Sequence, residues 1–303
     1  MLKIQGLSKT YGKIKGAEDI TFSLNEHEVV GFIGPNGAGK STTMNMIAGC
    51  LAPTSGDAAA DGFFMSENPV AFKKKIGYLP EQPPLYHELT VQEYLEIVFK
   101  IKKVTLDRAE HLDEIVEKFG LTGVRNRVIG NLSKGYRQRI GLAQAFVGKP
   151  SYVILDEPTV GLDPNQKKKT LELIKKMSKG CGILLSSHIL SEIAFVCDRV
   201  LIINEGRIVK EVKSADEKNS VYLYRVAGDS KEIIKTFLSV EGVVSAVKKD
   251  NGYLVETAET ALDAIFYQLA KKQFSITGLE LYRIDVEEEF TRAIAKQERR
   301  KSS

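Results

Sequence analysis

The feature that most constrains this chain is a glycine-rich stretch between an apolar run and a predicted helix. It runs Gly34-Pro35-Asn36-Gly37-Ala38-Gly39-Lys40-Ser41 and has the Gly-x-x-x-x-Gly-Lys-Ser spacing of a P-loop. Residues 29–33 before it predict a buried strand, and residues 42–48 after it predict a helix. Such a loop points its backbone N–H groups at phosphate oxygens, and the helix adds its positive end. We therefore expect nucleotide phosphates to bind here, with Thr42 at the start of the helix also in contact.

Two side chains of this loop have separate expected tasks. Lys40 supplies a point charge for the β- and γ-phosphates, and the Ser41 hydroxyl is a suitable Mg²⁺ ligand. An ordinary glycine-rich turn is the alternative, but the strand–loop–helix context favours the phosphate site. A dinucleotide site is disfavoured, because the glycines do not follow the Gly-x-Gly-x-x-Gly spacing.

Length, charge and cysteine usage exclude several classes of protein. A chain of 303 residues suggests about two domains, and a net charge of +4 is too weak to indicate nucleic-acid binding. The odd number of widely separated cysteines, Cys50, Cys181 and Cys197, predicts buried or inert thiols in a reducing compartment. No stretch approaches the roughly 18 apolar residues of a membrane span, and residues 1–6 lack a signal-peptide core. We expect a cytoplasmic protein that reaches a membrane only through a separate partner.

Strand patterns dominate residues 1–30, and helical patterns dominate residues 88–148. Tyr11 lies between the first two strands, where it either stacks on a purine ring or belongs to the core. Thr90-Val91-Gln92-Glu93 is a capping box that opens a helix within the helical insert. Ser133 is a good N-cap for a later helix of the insert, and this second helix start, with Gly135 beside it, is either an anion site or an ordinary cap.

Polar residues follow two further predicted strands. Asp156 and Glu157 end the apolar run 152–155, and ligands bind at the carboxyl ends of strands in open α/β sheets. Asp156 is placed to hold Mg²⁺, and Glu157 to polarise the attacking water. The turn at Gly161 exposes Asp163, and His188 follows a strand at 182–187, where a γ-phosphate contact is expected.

Together these motifs resemble the ATP-binding cassette of ABC transporters over residues 1–211. Tyr11 stands as the A-loop, residues 34–41 as Walker A, residues 132–139 as the signature, residues 152–157 as Walker B, residues 161–163 as the D-loop and His188 as the H-loop. A P-loop alone occurs in many families, but a Leu-Ser-x-Gly signature just before Leu-Asp-Glu-Pro is very specific. The implied fold is an α/β P-loop NTPase cassette, a RecA-like core with an antiparallel β region and a helical insert.

Two positions depart from the family pattern. The signature has Leu-Ser-Lys-Gly-Tyr in place of Leu-Ser-Gly-Gly-Gln, which keeps Ser133 and Gly135 as phosphate contacts. The Q-loop position holds Glu81 followed by Gln82, and either one could contact Mg²⁺ or water. Both departures resemble those of the subfamily that serves ABC-2-type exporters, where single-cassette subunits pair with separate permeases.

The resemblance implies a mechanism and a set of partners. Two copies meet head to tail, and each signature helix covers the ATP on the other copy's Walker A, so Ser133, Gly135 and Asp163 act at a shared site. Mg²⁺-dependent hydrolysis, with Glu157 and His188 placing the water, releases the dimer. The cycle drives an integral membrane permease, which contacts residues 81–89, and the subunit is peripheral on the inner face of the membrane. No nucleic acid is expected.

Residues beyond 211 form a different region. Residues 212–220 are polar and predict a linker, and residues 221–303 show the order β-α-β-β-α-β with a strong hairpin turn at residues 250–252. This order predicts a small ferredoxin-like α+β domain. Similar tails occur on ABC-2-type ATPases, so the expected role is regulatory, dimerising or permease-contacting, with a plain stabilising appendage as the alternative.

Other functions remain alternatives to export. A soluble ABC ATPase acting on nucleic acid or the ribosome usually carries two cassettes or a long coiled coil, and the sequence has one P-loop and no sustained heptads. A regulator without turnover is disfavoured by Glu157 and His188, and a GTPase by the lack of an Asn-Lys-x-Asp motif.

Overall fold

The computed structural model describes residues 1–213, 220–249, 252–281 and 290–293. The chain divides into two compact units, which are described separately below. The first unit comprises Met1–Val212 together with Val286–Ser303, and the second comprises Lys213–Asp285.

The first unit contains the following elements in chain order: β1 (Leu2–Tyr11), β2 (Ile14–Leu24), β3 (Val29–Ile33), α1 (Lys40–Ile47), β4 (Ser55–Ala60), β5 (Phe63–Phe64), α2 (Pro69–Lys75), β6 (Ile76–Leu79), α3 (Val91–Ile101), α4 (Arg108–Lys118), α5 (Lys134–Phe146), β7 (Tyr152–Leu155), α6 (Pro164–Met177), β8 (Gly182–Ser186), α7 (Leu190–Val196), β9 (Arg199–Asn204) and β10 (Arg207–Lys213). The strand, loop and helix predicted around the glycine-rich stretch are confirmed as β3 and α1.

Two sheets organise this unit. The larger has six strands in the order β10-β9-β3-β8-β7-β6, and its pairs β9–β3, β3–β8, β8–β7 and β7–β6 are parallel. The smaller has four strands in the order β2-β1-β4-β5 and is antiparallel. This arrangement confirms the predicted α/β core with its antiparallel region.

An apolar core joins the two sheets through α1. Buried residues of β1 and β2 share this core with Phe32 of β3, Ile154 of β7 and Leu184 of β8, and Met44 and Ile47 bring α1 into the same cluster. Burying each such side chain stabilises the fold by about 1.5–3 kcal/mol. The helix that follows the glycine-rich loop is therefore held against this core by its apolar face.

The predicted helical insert is present between β6 and β7 with helices α3, α4 and α5, and α3 and α5 begin after the predicted caps Thr90 and Ser133. Thr90 accepts the N–H of Glu93, and the Glu93 carboxylate accepts the N–H of Thr90, which is the predicted capping box. Helix α5 packs closely on β6, because a Cβ at Gly77 would lie 2.2 Å from the carbonyl oxygen of Ala145. The insert is thus tied to the edge strand of the large sheet.

The second unit contains β11 (Ser220–Ala227), α8 (Ser230–Leu238), β12 (Val243–Lys249), β13 (Gly252–Thr257), α9 (Leu262–Lys271) and β14 (Ser275–Leu281). Its sheet has the order β12-β13-β11-β14, and all three pairings are antiparallel. Tyr224, Phe237 and Ile265 bury their side chains between this sheet and the two helices. The order and pairing are those of the predicted ferredoxin-like domain.

Some predictions lie wholly or partly outside the described residues. These are the linker at 214–219, the first two turn residues at 250–251, and most of the final helix, of which residues 290–293 are described as helical. Within the described part of the chain, no helix is both long and apolar enough to cross a membrane. Cys181 and Cys197 are buried, whereas Cys50 is exposed after the end of α1, so only the inert alternative remains for that thiol.

Candidate nucleotide-binding site

The order of the large sheet brings three predicted loops to one edge. Strand β8 lies between β3 and β7, and all three run parallel, so their carboxyl ends open in the same direction. The glycine-rich loop follows β3, the carboxylates Asp156 and Glu157 follow β7, and His188 follows β8. This is the edge at which open α/β sheets bind ligands.

The glycine-rich loop is shaped by positions that tolerate no side chain. Gly39 has φ +101°, and a Cβ there would lie 2.3 Å from the carbonyl oxygen of Gly16. No side chain caps the start of α1 at Gly39, so the first N–H groups of the helix are left for another acceptor. The Lys40 side chain is buried and its Nζ donates to the carbonyl oxygens of Gly34 at 2.8 Å and Pro35 at 3.3 Å. The loop thus surrounds a concentration of positive charge.

Tyr11 lies at the end of β1 with 48% of its surface exposed. Its ring packs over Gly16, where an added Cβ would lie 2.7 Å from Tyr11 Cε2 and 3.2 Å from Thr42 Cγ2. The Nζ of Lys9 lies 5.7 Å from the centre of the Tyr11 ring. The alternative of a core tyrosine is wrong, and the ring instead stands exposed near the first turn of α1.

Asp156 and Glu157 are joined by a serine that the sequence analysis missed. The hydroxyl of Ser186, at the end of β8, donates to Asp156 Oδ1 at 2.7 Å and accepts the N–H of Glu157 at 2.8 Å. All three residues are buried. The pairing of Leu155 with Leu185 places Ser186 level with Asp156. The sequence signal for this contact was a serine near the end of the strand predicted at residues 182–187.

Glu157 and His188 contact each other directly. The Oε2 of Glu157 lies 2.8 Å from Nδ1 of His188, whose side chain is half exposed. Glu157 has φ +49°, a left-handed conformation that costs about 1–3 kcal/mol for such a residue. Strain of this kind persists only where the surroundings impose it, and it clusters at functional sites. The surrounding contacts therefore hold the Glu157 carboxylate in a fixed position.

The predicted signature lies at the start of α5, apart from the glycine-rich loop. Ser133 caps the helix by accepting the N–H of Tyr136 at 3.4 Å, and Gly135 packs against Gln166 of α6. Within the described residues, no hydrogen bond joins Ser133 or Gly135 to residues 34–41. Ser133 is exposed at the start of α5.

The two unusual signature residues have defined partners. The Nζ of Lys134 lies over Gly161, because a Cβ there would be 1.7 Å from it. The ring of Tyr136 carries the guanidinium of Arg139 at 5.6 Å, an arrangement that favours cation–π attraction. Both side chains therefore have contacts within the chain, although Lys134 is exposed.

Three remaining candidates are exposed. Asp163 caps α6 by accepting the N–H of Gln166 at 3.0 Å, with Pro164 at the first helical position. Glu81 and Gln82 follow β6 with both side chains exposed, near the edge where β6 pairs with β7. Their exposure does not separate them, so either one still fits the predicted role.

The donor set suits a hard divalent cation such as Mg²⁺. Asp156 is buried, and none of the described residues forms a salt bridge with it, although a buried carboxylate requires a compensating partner. Ser41 offers an exposed hydroxyl in the first turn of α1. Oxygen ligands of this kind are those that Mg²⁺ prefers.

Comparisons with known proteins agree with this geometry. The family model described as ABC transporter matches residues 17–160. The uncharacterized ABC transporter ATP-binding protein YhcH of Bacillus subtilis is 32% identical over 299 residues, covering 96% of this chain and 94% of the relative. The bacitracin transport ATP-binding protein BcrA of Bacillus licheniformis is 35% identical over 239 residues, covering 77% of this chain and 78% of the relative.

Solved structures give the same result. The ATP-binding subunit of an ABC transporter aligns with a TM-score of 0.63 at 29% identity, covering 89% of this chain and 99% of that one. A dimeric ATP-binding cassette in a post-hydrolysis state, bound to ADP and Pi, aligns with a TM-score of 0.64 at 27% identity, covering 70% of this chain and 98% of that one.

Proposed function

Because this chain belongs to the ABC transporter ATP-binding protein family and is an ATPase of the exporter type, we propose that it powers export by closing and opening as a dimer around ATP. The observation that carries this proposal is the convergence of the glycine-rich loop, the Asp156–Glu157 pair and His188 at adjacent strand ends. Its relatives are named as transporter subunits, which favours transport over action on nucleic acid or the ribosome.

The phosphates of ATP bind the loop of residues 34–41 and the first turn of α1. Lys40 turns its Nζ from the loop carbonyls toward the β- and γ-phosphates, and the uncapped N–H groups at the helix start donate to their oxygens. Thr42 completes this contact. Tyr11 stacks on the adenine, because its exposed ring already lies near the first turn of α1.

Hydrolysis uses the fixed carboxylate after β7. Glu157 polarises a water whose oxygen bonds to the γ-phosphorus while the bond to the bridging oxygen breaks, and a water proton passes to the carboxylate. His188 contacts the γ-phosphate beside this water, since its ring already lies 2.8 Å from the Glu157 carboxylate. The products are ADP and inorganic phosphate.

Ser41, Asp156 and one of Glu81 or Gln82 would hold Mg²⁺. When bound, the cation neutralises charge on the β- and γ-phosphate oxygens. Ser186 orients Asp156 for this task by donating to one carboxylate oxygen, which leaves the other free.

A second copy of the chain completes the site. Among the described residues, Ser133 and Gly135 form no hydrogen bond with residues 34–41, and Ser133 is exposed, so a head-to-tail partner can bring them to the γ-phosphate, with Asp163 at the same junction. The alignment with a dimeric cassette supports this arrangement. ATP then holds two copies together, and hydrolysis releases them.

A membrane permease receives the motion. The segment at residues 81–89 exposes Tyr86, whose ring packs edge-on against Tyr94 of α3, and this segment is the proposed permease contact. We assign residues 1–211 to the cassette, 212–220 to a linker and 221–285 to an accessory domain, since residues 286–303 group with the first unit. The subunit is then cytoplasmic and peripheral on the inner face of the membrane.

The catalytic proposal is tested by ATP turnover of purified protein with Mg²⁺. Lys40→Ala should lose phosphate binding, and Glu157→Gln should lower kcat by at least about 100-fold, the effect of removing a positioned base. Lys179→Ala and Glu172→Gln change exposed residues of the same types and serve as matched controls. Equal turnover by the wild type, Lys40→Ala and Glu157→Gln would show that the site is misassigned.

The dimer proposal is tested by light scattering after size exclusion. Glu157→Gln protein should shift from monomer to dimer on addition of ATP and Mg²⁺, because the bound nucleotide persists. The same protein carrying Ser133→Glu should remain monomeric, since a carboxylate would repel the partner's phosphate at this position. If the Glu157→Gln protein stays monomeric with ATP and Mg²⁺, the proposed head-to-tail dimer is wrong.

A further inference from the structure

A buried carboxylate in α7 joins the loops that carry Glu157 and His188. The side chain of Glu192 is 7% exposed. Its Oε2 accepts the hydroxyl of Thr159 at 2.6 Å and the hydroxyl of Ser187 at 3.1 Å. Thr159 lies two residues after Glu157, and Ser187 directly precedes His188.

The other oxygen of this carboxylate forms an ion pair. The Nζ of Lys167, on α6, lies 3.1 Å from Glu192 Oε1. Buried charges of this kind are expensive unless paired and hydrogen-bonded. Three elements, α6, the loop after β7 and the loop after β8, thus contribute to one paired carboxylate.

The position of this network explains why it matters for the reaction. Ser187 uses its hydroxyl twice, donating to Glu192 and accepting the N–H of Ile189 at 3.0 Å, so the backbone on both sides of His188 is fixed. Thr159 is itself fully buried, which limits the rotation of the loop that follows Glu157. The Glu157–His188 contact is therefore bracketed on both loops by bonds to one residue.

We propose that Glu192 is a positioning residue that sets the orientation of His188 toward Glu157 without touching the nucleotide. This inference rests on the proposed function, because it assigns Glu192 to the same hydrolytic step. Removing the carboxylate frees two hydroxyls that tie the loops together, and a displacement of about 1 Å in a reacting group can lower a rate by about 100-fold. The glycine-rich loop lies after a different strand, so nucleotide binding should persist.

The first test separates turnover from binding. Glu192→Ala and Thr159→Val should each lower kcat about tenfold or more while KM for ATP changes by less than about twofold. Thr159→Ser keeps the hydroxyl and should retain most of the wild-type kcat. Glu172→Ala removes an exposed carboxylate from α6 and is the matched control. A rise in KM that parallels the loss of kcat would indicate general damage and overturn the inference.

The second test observes His188 directly and does not depend on turnover. The chain has four histidines, so ring-labelled protein gives few imidazole NMR signals, and His188→Ala identifies the one that is lost. In Glu192→Ala and Thr159→Val the His188 signal should move toward that of a free imidazole, while Thr159→Ser and Glu172→Ala leave it in place. An unchanged His188 signal in Glu192→Ala overturns the positioning role.

These readouts distinguish two failures. If Lys40→Ala hydrolyses ATP as fast as the wild type, the proposed function fails. If Lys40→Ala is inactive but Glu192→Ala keeps wild-type kcat, only the role of Glu192 fails. The NMR comparison remains valid in both cases, because it reports the orientation of the ring and not the reaction.

Discussion

Replacing Ser186 by alanine tests the hydrogen bonds that join the carboxyl ends of strands β7 and β8 at the candidate site. Its hydroxyl is fully buried and makes two bonds, one to the Asp156 carboxylate at 2.7 Å and one from the Glu157 N–H at 2.8 Å. Alanine removes a single oxygen and leaves the β8 backbone unchanged. The substitution therefore isolates these two bonds from the packing around them.

The expected loss follows from the two bonds. A hydrogen bond to a charged group contributes about 1.5–3 kcal/mol, and a buried N–H left without an acceptor costs about 1–3 kcal/mol. We expect Ser186→Ala to lower the free energy of unfolding of the first unit by about 3 kcal/mol. For a unit of this size, each kcal/mol corresponds to about 2–4 °C, so its midpoint should fall by about 6–12 °C.

Scanning calorimetry of the full chain is the suitable assay, since the protein has no tryptophan to follow by fluorescence. The transition of the unit Lys213–Asp285 serves as an internal reference. Ser55→Ala, an exposed serine of β4, is the control and should change stability by less than about 0.5 kcal/mol. A loss for Ser186→Ala as small as that of the control would refute the reasoning, because it would mean that neither bond matters.

Three further substitutions follow from particular contacts. Gly16→Ala pushes a methyl group against the Tyr11 ring and should raise KM for ATP several-fold in steady-state assays, whereas Gly123→Ala, which meets no atom, should leave KM unchanged. Thr90→Ala removes the N-cap of α3 and should cost about 1 kcal/mol in denaturant unfolding, with no loss if water replaces the cap. Burial, aided by Lys149, lowers the pKa of His111, so below about pH 6.5 the unfolded chain binds a proton that the folded chain refuses. Stability should therefore fall between pH 7 and about pH 5, and His111→Phe should flatten that slope in urea titrations at each pH, whereas an unchanged slope would contradict the role of this ring.

The sequence predicts those parts of the molecule that depend on local chemistry. The capping box at Thr90 and Glu93 is a pattern within four residues, and the structure has both of its bonds. The strand–loop–helix around Lys40 is equally local, because glycine positions and an apolar run decide it. In the second unit, alternating strand and helix patterns sufficed to give the order of elements and hence the fold.

What the sequence could not predict depends on the register between distant segments. Ser186 and Asp156 are 30 positions apart, and only the pairing of β7 with β8 makes them neighbours. Glu192 is similar, since its partners belong to two loops and a further helix. Exposure is also a property of the whole fold, which is why Cys50 could not be distinguished from the two buried cysteines.

The level pairing of β7 and β8 has a consequence for newly made protein. Slipping β8 by one position would turn Ser186 to the opposite side of the sheet, and the bridge from Asp156 to the Glu157 backbone would be lost. The hydrolytic centre thus comes into existence only when the middle of the sheet has closed in its final alignment. Folding intermediates therefore contain every sequence motif for ATP hydrolysis but do not hydrolyse ATP before this register forms.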